Sequence, residues 1–343
     1  MIKLRTGGET IQTFILQNLN EHPNDIARVV ATQFGISRQA ANQHLKALVA
    51  RGAVTHTGNT RARIYAMPSL QNWEKSFPLS EDLEEDRVWR DDIAPILTDL
   101  PKNAVGIWNY GFTEMLNNAK DHAAGTSLRI QLQRNAESAR ITLHDNGVGI
   151  FRKIQAALGL SDERHAVLEL AKGKLTTDPD RHTGEGIFFT SRMFDEFMID
   201  SGGVHFSHQS EKKEDWIVEP EEPLPGTAVS MKLSNHTTKT AKQVFDQFTS
   251  GDDYGFTKTI VPVKLARYGT ENLVSRSQAK RLLTRVEKFK TVILDFEGID
   301  AIGQSFADEI FRVFAKQNTG IELLRSNAMP DVENMIARAV GNR

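Results

Sequence analysis

The feature that most constrains this chain is a short glycine-bearing turn at the end of a strand. Residues Ala139–His144 alternate apolar and polar, the period of a half-buried strand, and run directly into Asp145-Asn-Gly-Val-Gly-Ile150. Two glycines one residue apart let the backbone turn sharply and lie close to a flat ring. An aspartate at a strand end can accept a hydrogen bond from an exocyclic amine such as that of adenine. Ordinary turns use the same residue types, so the stretch gains meaning only from its neighbours.

Three neighbours supply it. Phe112–Ala123 reads as helix, and Glu114, Asn118 and His122 recur every four residues on one face, with Met115, Leu116 and Ala119 turned toward a core. A carboxylate and an amide oxygen one turn apart suit a magnesium–water station. The amide can ligate a hard cation, and the carboxylate can take a proton from a hydroxyl or water attacking phosphorus. A solvated helix face shows the same polarity. Next, His182-Thr-Gly-Glu-Gly-Ile187 opens an apolar helix. There Gly184 and Gly186, flanked by Thr183 and Glu185, can aim backbone N–H groups at phosphates. Last, Gly226-Thr227 begins the strand Ala228–Leu233.

Together, and in this order, the four elements make Arg87–Ser234 resemble the ATPase domain shared by histidine kinases, gyrase-type and MutL-type ATPases, Hsp90 chaperones and bacterial anti-sigma-factor serine kinases, the GHKL superfamily. Glu114–His122 matches its N box, and Asp145–Ile150, Gly184–Gly186 and Gly226-Thr227 match its three glycine boxes. The resemblance implies ATP and Mg2+ as cofactors, with Glu114 as general base and Asn118 as magnesium ligand. It implies Asp145 on adenine, Gly149 near the base, and Gly184 and Gly186 on the phosphates. His122, Gly147, Thr183, Glu185 and Thr227 complete the expected nucleotide site, and residues 151–183 would form a mobile lid. Residues 69–111 contain no histidine. The phosphoacceptor of a conventional sensor kinase is therefore missing, and the N box is closer to the serine-kinase branch.

The net charge of −2 hides an asymmetry. Residues 1–70 carry eight Lys/Arg against three acids, whereas residues 71–100 carry nine acids against three bases. The basic block reads as three helices and a hairpin: about Thr10–Leu19, Asn24–Phe34, and Arg38–Ala50 with Ser37 as N-cap, then short strands either side of Gly58-Asn59. In the third helix Ala41, Leu45, Leu48 and Val49 form the buried stripe. Arg38, Gln39, Asn42, Gln43 and Lys46 face away, as side chains that read base edges and phosphates do. The segment resembles a bacterial winged helix-turn-helix, which implies double-stranded DNA as partner and puts Arg61 and Arg63 on the wing. A winged helix used for protein contacts is the alternative, and a homodimer is a candidate assembly.

Past Gly251 the chain alternates helix and strand: Ser275–Phe289, Thr291–Phe296, Ser305–Lys316, Gly320–Leu324 and Asp331–Ala339. The stretch Val292–Phe311 resembles a STAS-type domain, the fold of anti-sigma-factor antagonists. That implies a protein partner and makes Ser305, at a strand–loop–helix junction, a candidate phosphoacceptor. The plainer reading is that Ser305 caps the helix it precedes.

The expected fold is therefore multidomain. It comprises a winged helix over residues 1–68, an acidic linker over 69–86, an α+β two-layer sandwich of the Bergerat type over 87–236, and an α/β STAS-like domain over 251–343. The absence of cysteine excludes disulfides and thiolate chemistry and fits a cytoplasmic setting. No apolar run is long enough for a bilayer, so no membrane partner is expected. The leading expectation is an ATP-responsive DNA-binding regulator. The rivals are a serine/threonine kinase acting on a STAS-domain serine, its own Ser305 included, and a slow ATPase clamp.

Overall fold

The computed structural model describes residues 8–59, 62–176, 183–210, 214–218, 222–250, 253–267 and 271–341. At the N-terminus α1 (Gly8–Asn18), α2 (Ile26–Phe34) and α3 (Arg38–Ala50) enclose a small core with the hairpin β1 (Thr55–Thr57) and β2 (Ile64–Ala66). That core is Ile11, Ile15, Leu16, Leu19, Ile26, Val30, Ala41, Leu45, Leu48, Val54 and Tyr65, a cluster distinct from the main one. Gly35 ends α2 in the left-handed conformation, and Ser37 starts α3 by accepting the Ala40 amide at 3.1 Å. Ala136 is packed against this unit from the turn between β4 and β5 (Ser127–Arg134 and Ser138–Asp145).

The central sheet has the order β3-β4-β5-β9-β6-β7-β8, and each of these pairings is antiparallel. Here β3 is Gln71–Pro78, β6 Glu196–Gly202, β7 Val204–Gln209, β8 Glu214–Val218 and β9 Leu224–Ser234. The segment 69–86, expected as a linker, thus holds a strand paired residue for residue with β4, from Gln71↔Arg134 to Pro78↔Ser127. Its edge position explains the misreading: charged residues on an edge strand hinder unwanted pairing and read like a loop.

The apolar alternation of β5 and β9 sets one sheet face against helices. Ala139, Ile141 and Leu143 point inward and lie opposite Leu233, Met231 and Val229. Short α4 (Glu85–Val88) runs on through a π-helical turn (Trp89–Ile93) and a 3-10 turn (Ala94–Ile96). After a non-helical stretch that ends at Pro101 comes the long α5 (Lys102–His122), which buries Ile107, Trp108, Phe112, Met115 and Leu116 on the sheet. α6 (Ile150–Leu158), α7 (Arg164–Lys172), α8 (Gly186–Met193) and α9 (Ala241–Asp246) complete this layer. Residues 151–183, expected as one mobile lid, contain α6 and α7, while 177–182 fall outside the described residues. α7 is buried at every position from Ala166 to Lys172, because it lies between α6 and α8 of the helix layer and β12 of the C-terminal unit.

After the hairpin β10 (Thr249–Ser250) and β11 (Asp253–Phe256) comes a parallel three-stranded sheet, β12-β13-β14 (Lys258–Pro262, Thr291–Asp295, Glu322–Ser326). It is flanked by α10 (Arg276–Leu283), α11 (Gln304–Asp308), which runs on as a π-helical segment into α12 (Ala315–Gln317), and α13 (Pro330–Gly341). The expected helix Ser275–Phe289 is cut short after Leu283, where Arg285 takes a left-handed φ of 62°. This unit shares one hydrophobic core with the central domain through Phe188, Phe248, Phe256 and Phe289.

Candidate functional site

Glu114, Asn118, His122, Asp145, Thr183, Gly184, Glu185, Gly186 and Thr227 all line one cavity of ≈ 280 Å³ between α5, α6, α8 and the sheet. The sequence spacing explains this. Glu114, Asn118 and His122 descend one face of α5, while Asp145 takes the next inward position after Leu143 on β5. Thr227 lies directly opposite Asp145 on β9.

Asp145 is 5% exposed. Its Oδ1 accepts the amides of Gly147 at 2.8 Å and Thr227 at 3.2 Å. Burial pushes its carboxyl above the ordinary range, against the pull of those two amides. Among the described residues both of these bonds fall on Oδ1, and the residue lines the cavity.

Gly147 and Gly149 do not line the cavity; they shape the turn. A Cβ at Gly147 would lie 2.0 Å from the Ala123 carbonyl oxygen, so the turn closes against the end of α5 only without a side chain. Gly149, at φ 91°, leads into α6. There the Ile150 amide donates to Ser201 Oγ and Thr227 Oγ1, both at 3.0 Å, and Ser201 Oγ donates to the Gly226 carbonyl at 2.9 Å.

At the other end of the cavity, α8 begins at Gly186 with Glu185 as N-cap residue. The carboxylate of Glu114 stands at this helix start, where N–H groups lack intrahelical partners. Glu185 is pushed above the usual carboxylate range by burial, with Lys174 opposing. Glu114 and Glu185 both help hold the Tyr110 phenol protonated, after burial as the main cause. Asn118 Nδ2 is buried and finds no hydrogen-bond partner among the described residues. An oxygen-rich ligand in the cavity would satisfy it. No group of three or more His, Cys, Asp or Glu that could hold a metal by itself occurs among the described residues. A cation here would therefore rest on Asn118 Oδ1 together with oxygens of a ligand.

Sequence reasoning missed several residues of the cavity. Lys153 on α6 lines it and donates from Nζ to the His122 carbonyl at 2.8 Å, at the end of α5. Leu143, Ile150, Ile154, Leu170, Leu175 and Val229 supply apolar walls, and Thr176 joins Thr183 at the rim. A single lysine among apolar residues on a helix carries no pattern that points to a cavity. Ser201 is legible only once β6 is known to lie beside Thr227.

On the winged helix, Arg38, Gln39, Gln43 and Lys46 are exposed and Asn42 is half-buried. Gln39, Asn42, Gln43 and Lys46 lie off the stripe of Ala41, Leu45 and Leu48, while Arg38 is in line with it and is exposed at the start of α3. Arg63 departs from the expected free wing position. It is half-buried and donates from Nη1 to Tyr65 Oη at 3.3 Å, lying against that ring. Arg61 falls outside the described residues.

In the C-terminal unit the expected cap is displaced. Gly303 is the N-cap of α11, so Ser305 is already inside the helix, exposed and without a capping bond. Asp308 and Glu309 follow it and face Arg276, Lys280 and Arg312.

Comparison with known families accounts for most of this architecture. Residues 79–206 match the histidine kinase-like ATPase domain, residues 9–63 the MarR family, and residues 278–333 a STAS-like domain of unknown function. No curated protein matches the chain. It is therefore a multidomain α+β protein with a MarR-like winged helix, a histidine kinase-like ATPase domain and a STAS-like domain. Among the described residues no helix is long and apolar enough to cross a membrane.

Proposed function

We propose that this chain is an ATP- and Mg2+-binding regulator of DNA, in which occupation of the central cavity changes how the winged helix and the STAS-like domain are presented to their partners. The observation that carries the reading is Asp145: a buried carboxylate that lines an apolar-walled cavity and is fixed through Oδ1 by two backbone amides. That is the arrangement needed to accept from the amine of adenine while Leu143, Ile154 and Val229 flank the ring.

The far end suits phosphates. The start of α8 directs backbone N–H groups into the cavity, and Thr176 and Thr183 add hydroxyls. Glu114 and Glu185 would repel a bare triphosphate, so the same end favours a phosphate chain accompanied by a cation, for which Asn118 Oδ1 is the protein ligand. Bound magnesium would neutralise phosphate charge. Glu114 is the residue placed to take a proton there, and a purely binding switch would not need it to.

For DNA, the exposed set Arg38, Gln39, Gln43 and Lys46 with half-buried Asn42 supports α3 as the reading helix. A gel-shift titration of the full chain with and without Mg-ATP tests the regulator reading. The expected result is a change in DNA affinity on adding nucleotide; identical titrations would remove the switch.

A second reading rests on one observation. Ser305 is exposed and its hydroxyl is not used as a cap, which leaves it open to phosphorylation by the central domain of this chain or of another copy. Asp308 and Glu309 in the next turn would repel the product phosphate, though Arg276, Lys280 and Arg312 offset them.

A further inference from the structure

The rim of the cavity is joined to the STAS-like unit through a buried charge cluster that neither nucleotide binding nor DNA binding explains. Lys172, the last residue of α7, is 1% exposed, and its partner Glu169 is 4% exposed. Lys172 Nζ donates to Glu169 Oε1 at 2.7 Å and to the carbonyls of Arg281 at 3.1 Å and Thr284 at 2.8 Å. Three acceptors match the three protons of an ammonium. The two carbonyls belong to the C-terminal end of α10, where a cation is favoured, and that of Arg281 also accepts the Thr284 amide at 3.3 Å. Glu169 Oε2 in turn accepts from Arg285 Nη1 at 3.1 Å, and Arg285 Nη2 donates to the Lys174 carbonyl at 2.5 Å. Thr259 Oγ1 on β12 donates to the Lys172 carbonyl at 2.7 Å.

These bonds fix the backbone on both sides of Gly173. The next residues, Leu175 and Thr176, line this edge of the cavity, and the Leu175 amide donates to the Gly184 carbonyl at 3.1 Å. Lys174 itself stands at a left-handed φ of 51°, a conformation that a lysine holds only where its surroundings impose it. Its Nζ lies over the rings of Phe256 and Phe289.

We infer that Lys172, Glu169 and Arg285 are positioning residues through which the STAS-like domain sets the rim of the cavity. Nucleotide affinity and the docking of that domain are thereby coupled, each altering the other by the same factor. The coupling rests on the reading of the cavity as a nucleotide site; the positioning role does not.

The test uses the full chain with Lys172→Met, Arg285→Met and the milder Arg285→Lys. Hydrogen exchange is followed at the Leu175 amide and, as a control, at the amides of Ile141 and Leu143 in β5. The expected result without nucleotide is exchange at Leu175 faster by about tenfold or more in both Met variants, smaller in Arg285→Lys, with β5 unchanged. Unchanged exchange at Leu175, or an equal rise in β5, would overturn the positioning role. Should Lys172→Met fail to fold, Arg285→Lys decides. Titration with Mg-ATP then reads the coupling. About tenfold weaker binding in the Met variants is expected, and faster rim exchange with unchanged affinity would overturn it. If the unmodified chain bound no ATP, the nucleotide reading would fail while the exchange result still decided the positioning role.

Discussion

The Glu114 carboxylate stands directly against the Cα of Gly186: a Cβ built at 186 would lie 2.1 Å from Glu114 Oε2. The Glu114 carboxylate of α5 and the first residue of α8 therefore approach this closely with no side chain at position 186. Gly186→Ala should push Glu114 away from the α8 N-terminus and weaken ATP binding by about tenfold or more. Glu114→Gln should leave affinity nearly intact and lower any hydrolysis or transfer by about 10²–10⁴-fold. Binding by calorimetry and turnover by phosphate release check the pair. Wild-type affinity in Gly186→Ala would show that this close approach does not matter to the ligand.

Asp145 links function to pH. Burial holds its carboxyl above the value of an unfolded chain. A group of this kind contributes stability below its unfolded pKa, and that contribution is lost as pH rises through the folded value. At about pH 7 the ionised, buried Asp145 therefore costs stability, so Asp145→Asn should melt at the same or a higher temperature. The difference should shrink as pH falls toward about 4, where the unfolded group protonates. Thermal melts across that range check it; a clearly lower melting temperature at neutral pH would contradict the burial argument.

On the winged helix, Arg38→Ala with Lys46→Ala should weaken DNA binding. The slope of log affinity against log salt should become shallower by about 0.9 for each phosphate that the variant no longer neutralises. Arg63→Ala should do less, because Arg63 is turned onto Tyr65. Fluorescence anisotropy over a salt series separates these. An Arg63 effect as large as that of the double variant would place the wing, rather than α3, at the centre of binding.

Ser305→Ala should leave the melting temperature unchanged, because Gly303 caps α11. A true serine cap typically costs about 1 kcal/mol on removal. The same variant tests phosphorylation with labelled ATP. Label present on the unmodified chain and absent from Ser305→Ala supports the second reading, and no label or equal label removes it.

Much of this was legible in the sequence, for physical reasons. α3 begins and ends where Ser37 and the apolar stripe put it, and α5 covers the expected Phe112–Ala123 stretch to within one residue at its end. Glu114, Asn118 and His122 reach one cavity because helical periodicity is a local property. What long-range packing decides was not legible. β3 is an edge strand whose charges disguise it, and β12 is a five-residue buried strand with no turn signal to mark it. α7 is buried all round by two units at once, so its mixed composition shows no single apolar face. Lys172 and Arg285 lie 113 positions apart in the numbering and meet only through the folded interface around Glu169. The Ser305 cap failed by two residues, the ordinary scale of error at helix ends.

Binding of ATP with magnesium in the cavity behind Asp145 is tested most directly by calorimetric titration of Mg-ATP into the full chain and into Asp145→Asn. The account predicts saturable binding that requires magnesium, weakened by about tenfold or more in Asp145→Asn because the replacement amide puts a donor where adenine also donates. Equal affinities in the two proteins, or no binding to the unmodified chain, would contradict it.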